Sequence, residues 1–95
     1  MTMHIGSLNI TLYLHAADSL KEKRSVVKSL IETTRRKFNV SIAEIDGLDL
    51  WRKATIGVAC VSNDVQFLNK VLDKVVDSLE SNPAIEVGEV ELELI

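Results

Sequence analysis

The chain has 95 residues, 46% of them apolar and 26% charged, with a formal net charge of −3. That length makes one domain, residues 1–95, and excludes a two-domain enzyme, because single cores run to roughly 100–150 residues. The composition is that of a folded protein rather than a disordered one, and the lone Cys60 excludes both an intramolecular disulfide and a paired-cysteine metal site.

Leu8, Ile10, Leu12 and Leu14 alternate with Asn9, Thr11 and Tyr13, which predicts a half-buried strand over His4–Leu14. Ser19 and Glu22 then have the spacing of a capping box, in which each side chain satisfies an N–H at the open end of a helix. The helix so begun runs to about Lys37, with Leu20, Val27, Leu30, Ile31, Thr34 and Phe38 on one side; Lys23 falls close to that apolar side. Phe38 to Asp46 alternates again and reads as a second strand. Asp46-Gly47 is a hairpin-type pair that turns the chain into a third strand, Lys53–Val61, with Ala54, Ile56, Val58 and Cys60 inward. Ser62-Asn63-Asp64 supplies helix caps, and Val65, Leu68, Val71, Leu72, Val75, Val76 and Leu79 keep helical spacing until Ser81-Asn82-Pro83. In Ala84–Ile95 the inward phase changes between Ile85/Val87 and Val90/Leu92/Leu94, which predicts a bulge at Gly88. The order β-α-β-β-α-β gives an α+β, ferredoxin-like sandwich: a four-stranded antiparallel sheet with both helices on one face.

Charge is divided unevenly along this order. Residues 1–38 carry seven basic and three acidic side chains, or +4, and residues 39–95 carry four basic and eleven acidic, or −7. On a helical wheel Lys21, Arg24, Lys28 and Arg35 form one stripe flanking the buried face, with Glu32 beside it. A stripe of that kind sets cations along a phosphate backbone without reading its sequence, and is equally the pattern of a solvated flank.

Three motifs occur together: Ser19-Leu20-Lys21-Glu22-Lys23-Arg24, Phe38-Asn39-Val40-Ser41-Ile42-Ala43-Glu44 and Asp49-Leu50-Trp51. With Gly57-Val58-Ala59 and Val61-Ser62-Asn63-Asp64 they resemble the bacterial YlxP-like family, a domain of unknown function, over essentially the whole chain. The resemblance implies a ferredoxin-like fold and a gene setting beside translation-initiation and ribosome-maturation factors, with no enzymatic activity.

Ferredoxin-like RNA binders that stack bases on their sheet need aromatic residues on the central strands. Here the outer positions of the third strand are Thr55, Gly57, Ala59 and Val61, and the first strand offers Tyr13 alone, so RNA contact is expected from the helix side and the loops. The outer face, with Ala43, Ile45, Ala59 and Val61, suits burial against another protein, including a second copy in a homodimer. Glu44, Asp46 and Asp49 cluster near the turn without diagnostic catalytic spacing, and Asp46 is expected to initiate the turn. Trp51 reads as a partly buried packing residue or a contact anchor. His4 and His15 have no ligand partner at recognisable spacing, and Cys60 reads as a small core residue.

The expectation is a non-enzymatic interaction module without metal or cofactor. Lys21, Arg24, Lys28 and Arg35 would meet rRNA or a ribosomal particle, and Asp49, Trp51 and Tyr13 would meet protein; the alternative is a homo-oligomeric scaffold with no nucleic-acid partner. No apolar run approaches the roughly 20 residues of a membrane span and the first residues lack signal-peptide character, so the expected compartment is the cytoplasm, with no membrane partner.

Overall fold

In the computed structural model, which describes residues 2–95, the elements follow in the expected order. They are β1 (His4–Tyr13), α1 (Leu20–Lys37), β2 (Ser41–Asp46), β3 (Lys53–Ser62), α2 (Val65–Glu80) and β4 (Glu86–Leu94). The sheet runs β2-β3-β1-β4 with every neighbouring pair antiparallel, so each helix carries the chain across one intervening strand. This is the ferredoxin-like α+β arrangement that the element order predicted.

The inward rows of the two central strands face each other across the ladder, Leu8 beside Val58, Ile10 beside Ile56 and Leu12 beside Ala54. Over them pack Val27 and Leu30 of α1 and Leu68, Leu72, Val75 and Leu79 of α2, all buried. A Cβ added at Gly6 would lie 2.8 Å from Leu72 Cδ1, which is why β1 passes under α2 at a residue with no side chain.

Both caps form with the expected residues. Ser19 Oγ accepts the Glu22 N–H at 3.0 Å, whereas the Glu22 carboxylate reaches one residue further back than a capping box requires, to the Asp18 N–H at 3.2 Å. Asp64 Oδ1 accepts the N–H groups of Gln66 and Phe67 at 2.9 and 3.3 Å, satisfying two amides left open at the start of α2.

One boundary differs from the sequence reading. Phe38 to Val40 is not part of the second strand: Phe38 closes α1 by donating its N–H to Thr34 O at 2.9 Å, and β2 begins at Ser41, where Ala59 becomes available as a pairing partner. The turn at Asp46-Gly47 forms where expected and leads to β3 at Lys53, with Gly47 in the left-handed region at φ +74° and Leu50 N–H bonded to Gly47 O at 3.0 Å.

The phase change in β4 is resolved as predicted. Leu12 pairs with Val87 and Ile10 with Val90, so Gly88 and Glu89 together oppose Thr11 and form a bulge. A second bulge, at Ile45, folds that side chain over Gly57 on the outer face, where an added Cβ would come within 3.0 Å of it.

Candidate functional site

The first turn of α1 places Lys23 towards the sheet, where it is completely buried. Its ammonium donates to Glu44 Oε2 at 2.5 Å, Gly47 O at 2.9 Å and Leu48 O at 3.4 Å. Glu44 has the parity of Ile42, inward on β2, so its carboxylate meets α1 instead of joining Asp46 and Asp49 in the cluster suggested by the sequence. A buried ammonium is tolerable only when its donors are all satisfied, and here three acceptors serve three N–H groups. Among the described residues no buried side-chain polar atom is left without a partner.

This contact anchors the 47–52 loop to the helix. Asp46 Oδ1 accepts the Gly47 N–H at 2.8 Å, giving Asp46 the turn-initiating role expected of it. At the far end of the loop the Arg52 guanidinium donates to Ala17 O at 3.1 Å and Arg52 O accepts the Leu14 N–H at 2.9 Å. Held at both ends, the loop turns Leu48, Leu50 and Trp51 outward, Trp51 with 53% of its surface exposed, so the tryptophan does not pack on the core. Asp49 lies 3.8 Å from Arg24 in an exposed ion pair.

Along α1, Arg24, Lys28 and Arg35 border one open groove of about 380 Å³ whose floor is formed by Val27, Ile31 and Ala43. Arg35 is steadied by a 3.0 Å bond from its guanidinium to Ile42 O on β2. Lys21 is exposed one turn earlier and is not part of this groove. Glu32 lies in its wall, and Glu44 does too but is engaged by Lys23. No ion pair among the described residues joins this basic edge to the glutamates of β4.

The remaining candidates lie elsewhere. Tyr13 packs over Gly88 and stacks on His15. His15 contacts Glu86. Cys60 sits partly buried in a small cleft with Phe38, Phe67 and Val71, and burial pushes its thiol above the ordinary value. A concavity of about 670 Å³ is the shallow open face of the sheet, lined by residues such as Ser7, Asn9, Ala43, Gly57 and Ala59. Lys23 with Glu44 is the pair that the sequence reading did not assemble; the available signal was a lysine on an apolar stripe and a glutamate in the inward phase of a strand.

Element order, pairing and the one-sided helices define an α+β sandwich of ferredoxin-like type. The same fold appears in the de novo designed protein Foldit4, at a TM-score of 0.51 and 14% identity over 97% of each chain. Within that class the chain belongs to the DUF503 family of proteins of unknown function, whose pattern matches residues 5–92. It is 39% identical over 82 residues to the uncharacterized protein YlxP of Bacillus subtilis (strain 168), a match spanning 86% of this chain and 89% of that protein. No helix among the described residues is long and apolar enough to cross a membrane.

Proposed function

We propose that this protein is a non-enzymatic interaction module that meets RNA phosphate through the α1 edge, in the cytoplasm, in the setting of ribosome assembly or translation that the family resemblance implies. The convergence of Arg24, Lys28 and Arg35 on one open groove supports this reading most directly. Two guanidinium groups and an ammonium, spaced over three turns of helix, follow a phosphate backbone, and each phosphate neutralised adds affinity that salt removes. The neighbouring loop, with Asp49 and Trp51 exposed, is the second contact surface, suited to a protein.

Co-sedimentation with ribosomal particles is expected to fall as salt rises, and to fall further for the double charge reversal Arg24→Glu/Lys28→Glu. Absence from every ribosomal fraction at low salt rejects the reading. A homo-oligomeric scaffold is the second reading, supported by exposed Ile45 and Val61 on the open sheet face. Light scattering of the purified protein shows whether it dimerises, and RNA binding by that dimer separates the two, because a dimer on that face leaves the α1 groove free, whereas a dimer that covers the groove favours the scaffold.

A further inference from the structure

β4 is the outermost strand on the side away from β2, and among the described residues nothing pairs with its far edge. Its backbone alternation follows from the reciprocal bonds between Ile5 and Ile95, 3.0 and 2.7 Å, which mark that pair as a hydrogen-bonded one. Counting back in steps of two, Glu93 and Glu91 also turn their N–H and C=O groups towards β1, while Leu94, Leu92 and Val90 turn theirs to the open edge.

The side chains are sorted as strictly. Val90, Leu92 and Leu94 pair with Ile10, Leu8 and Gly6 and so lie on the helix side of the sheet, yet they remain 39, 51 and 45% exposed. On the other face stand Glu91 and Glu93, opposite Asn9 and Ser7, and every charged residue of β4 is a glutamate. Strand edges that merely avoid pairing are commonly guarded by charges, above all lysine, by proline, by bulges or by charges pointing inward. β4 carries a bulge at Gly88 and glutamates on its outer face, but from Val90 to Leu94 it has no lysine, proline, bulge or inward charge, and its inward row there is an apolar shelf.

We propose that β4 is a docking strand for an extended segment of another protein in which apolar residues alternate with Lys or Arg. Such a segment hydrogen-bonds to Val90, Leu92 and Leu94, lays its apolar row beside theirs and sets its cations against Glu91 and Glu93. A second copy is a poor occupant. Antiparallel pairing of β4 with itself brings glutamates together, and the outward row of β2, the other edge, is Ser41, Ala43 and Ile45 without a cation. The α1 groove takes no part, so the two proposals fail independently.

The test uses the whole protein with a short peptide alternating lysine and valine, a glutamate–valine counterpart, and a peptide of the first composition with its lysines and valines in separate blocks. The lysine–valine peptide is expected to bind roughly tenfold or more tightly than either control, and to slow hydrogen exchange at the amides of Val90, Leu92 and Leu94. Glu91→Lys/Glu93→Lys should reverse the preference between the two alternating peptides. Leu92→Pro removes an N–H that faces the open edge and breaks no bond to β1, so it should abolish binding with the fold retained by circular dichroism. Equal binding of the peptides, protection that maps to the α1 groove or the open sheet face, dimerisation through β4, or no binding at all overturns the proposal; the last result would mean that the glutamates guard an unused edge.

Discussion

Lys23 shows how one residue fixes a surface that it does not itself touch. Its ammonium is buried, and its partners are a carboxylate on β2 and two carbonyl oxygens of the 47–52 loop. Truncating it strands the largely buried Glu44 carboxylate and frees the loop that presents Trp51. Removing one partner of a buried ion pair costs about 3–5 kcal/mol, a large share of the 5–15 kcal/mol that holds a typical domain together. Lys23→Ala should therefore lower the urea midpoint steeply. Lys23→Met and Glu44→Leu should each destabilise, yet the double variant should lose less than the sum by at least about 1 kcal/mol, because two apolar side chains of similar volume fill the space without an orphan charge. Strictly additive losses would mean that the two side chains act separately.

Among the elements, β1 is the most tightly constrained, because it runs beneath α2 and beside both β3 and β4. At Gly6 a methyl group would meet Leu72 Cδ1 at 2.8 Å and Leu68 Cδ2 at 3.1 Å, and both leucines are locked in the core. At Gly88 the nearest atom is closer, Tyr13 Cε2 at 2.6 Å, but that ring is only half-buried beside His15, and the nearest backbone atom, Thr11 O, is 3.3 Å away. Gly6→Ala is thus expected to cost about 1–3 kcal/mol in equilibrium unfolding, the range for overpacking a core, and Gly88→Ala less; the opposite ranking would place the rigid contact at the bulge. The β4 bulge was legible in the sequence because apolar parity survives as a pattern along one strand. The same parity misled at Phe38-Asn39-Val40, since the extended backbone at Phe38 persists where no ladder partner exists to make a strand. The basic edge was legible as helical spacing, except that Lys21 lies a turn outside the groove. The bounds of the 47–52 loop were legible from the Asp46-Gly47 turn and the strand at Lys53, but its anchoring was not, because Lys23 and Ala17, which hold it, lie more than twenty residues away in the chain and reach it only once the sheet has formed.

Across the whole molecule the strand order sets the basic α1 groove apart from the glutamates of β4, while Glu44 and Asp49 of the acidic half stay on the α1 side. The α1 groove lies against β2 at one edge of the sheet, and the glutamates of β4 occupy the opposite edge. On the proposed reading a polyanion would be drawn to one side and repelled from the other, even though the total charge is negative. If three or four cations of the α1 edge neutralise phosphates, the logarithm of the binding constant for single-stranded RNA should fall against the logarithm of salt concentration with a slope of about −2 to −3. Arg24→Glu/Lys28→Glu should reduce the steepness of that slope by about 1 to 1.5. The matching reversal Lys70→Glu/Lys74→Glu changes net charge equally, but on exposed positions of α2 outside the groove, and should leave the slope nearly unchanged. Fluorescence anisotropy over a salt series measures all three proteins. Equal flattening by both reversals would show that RNA responds to net charge alone, and the groove would then have no part in binding.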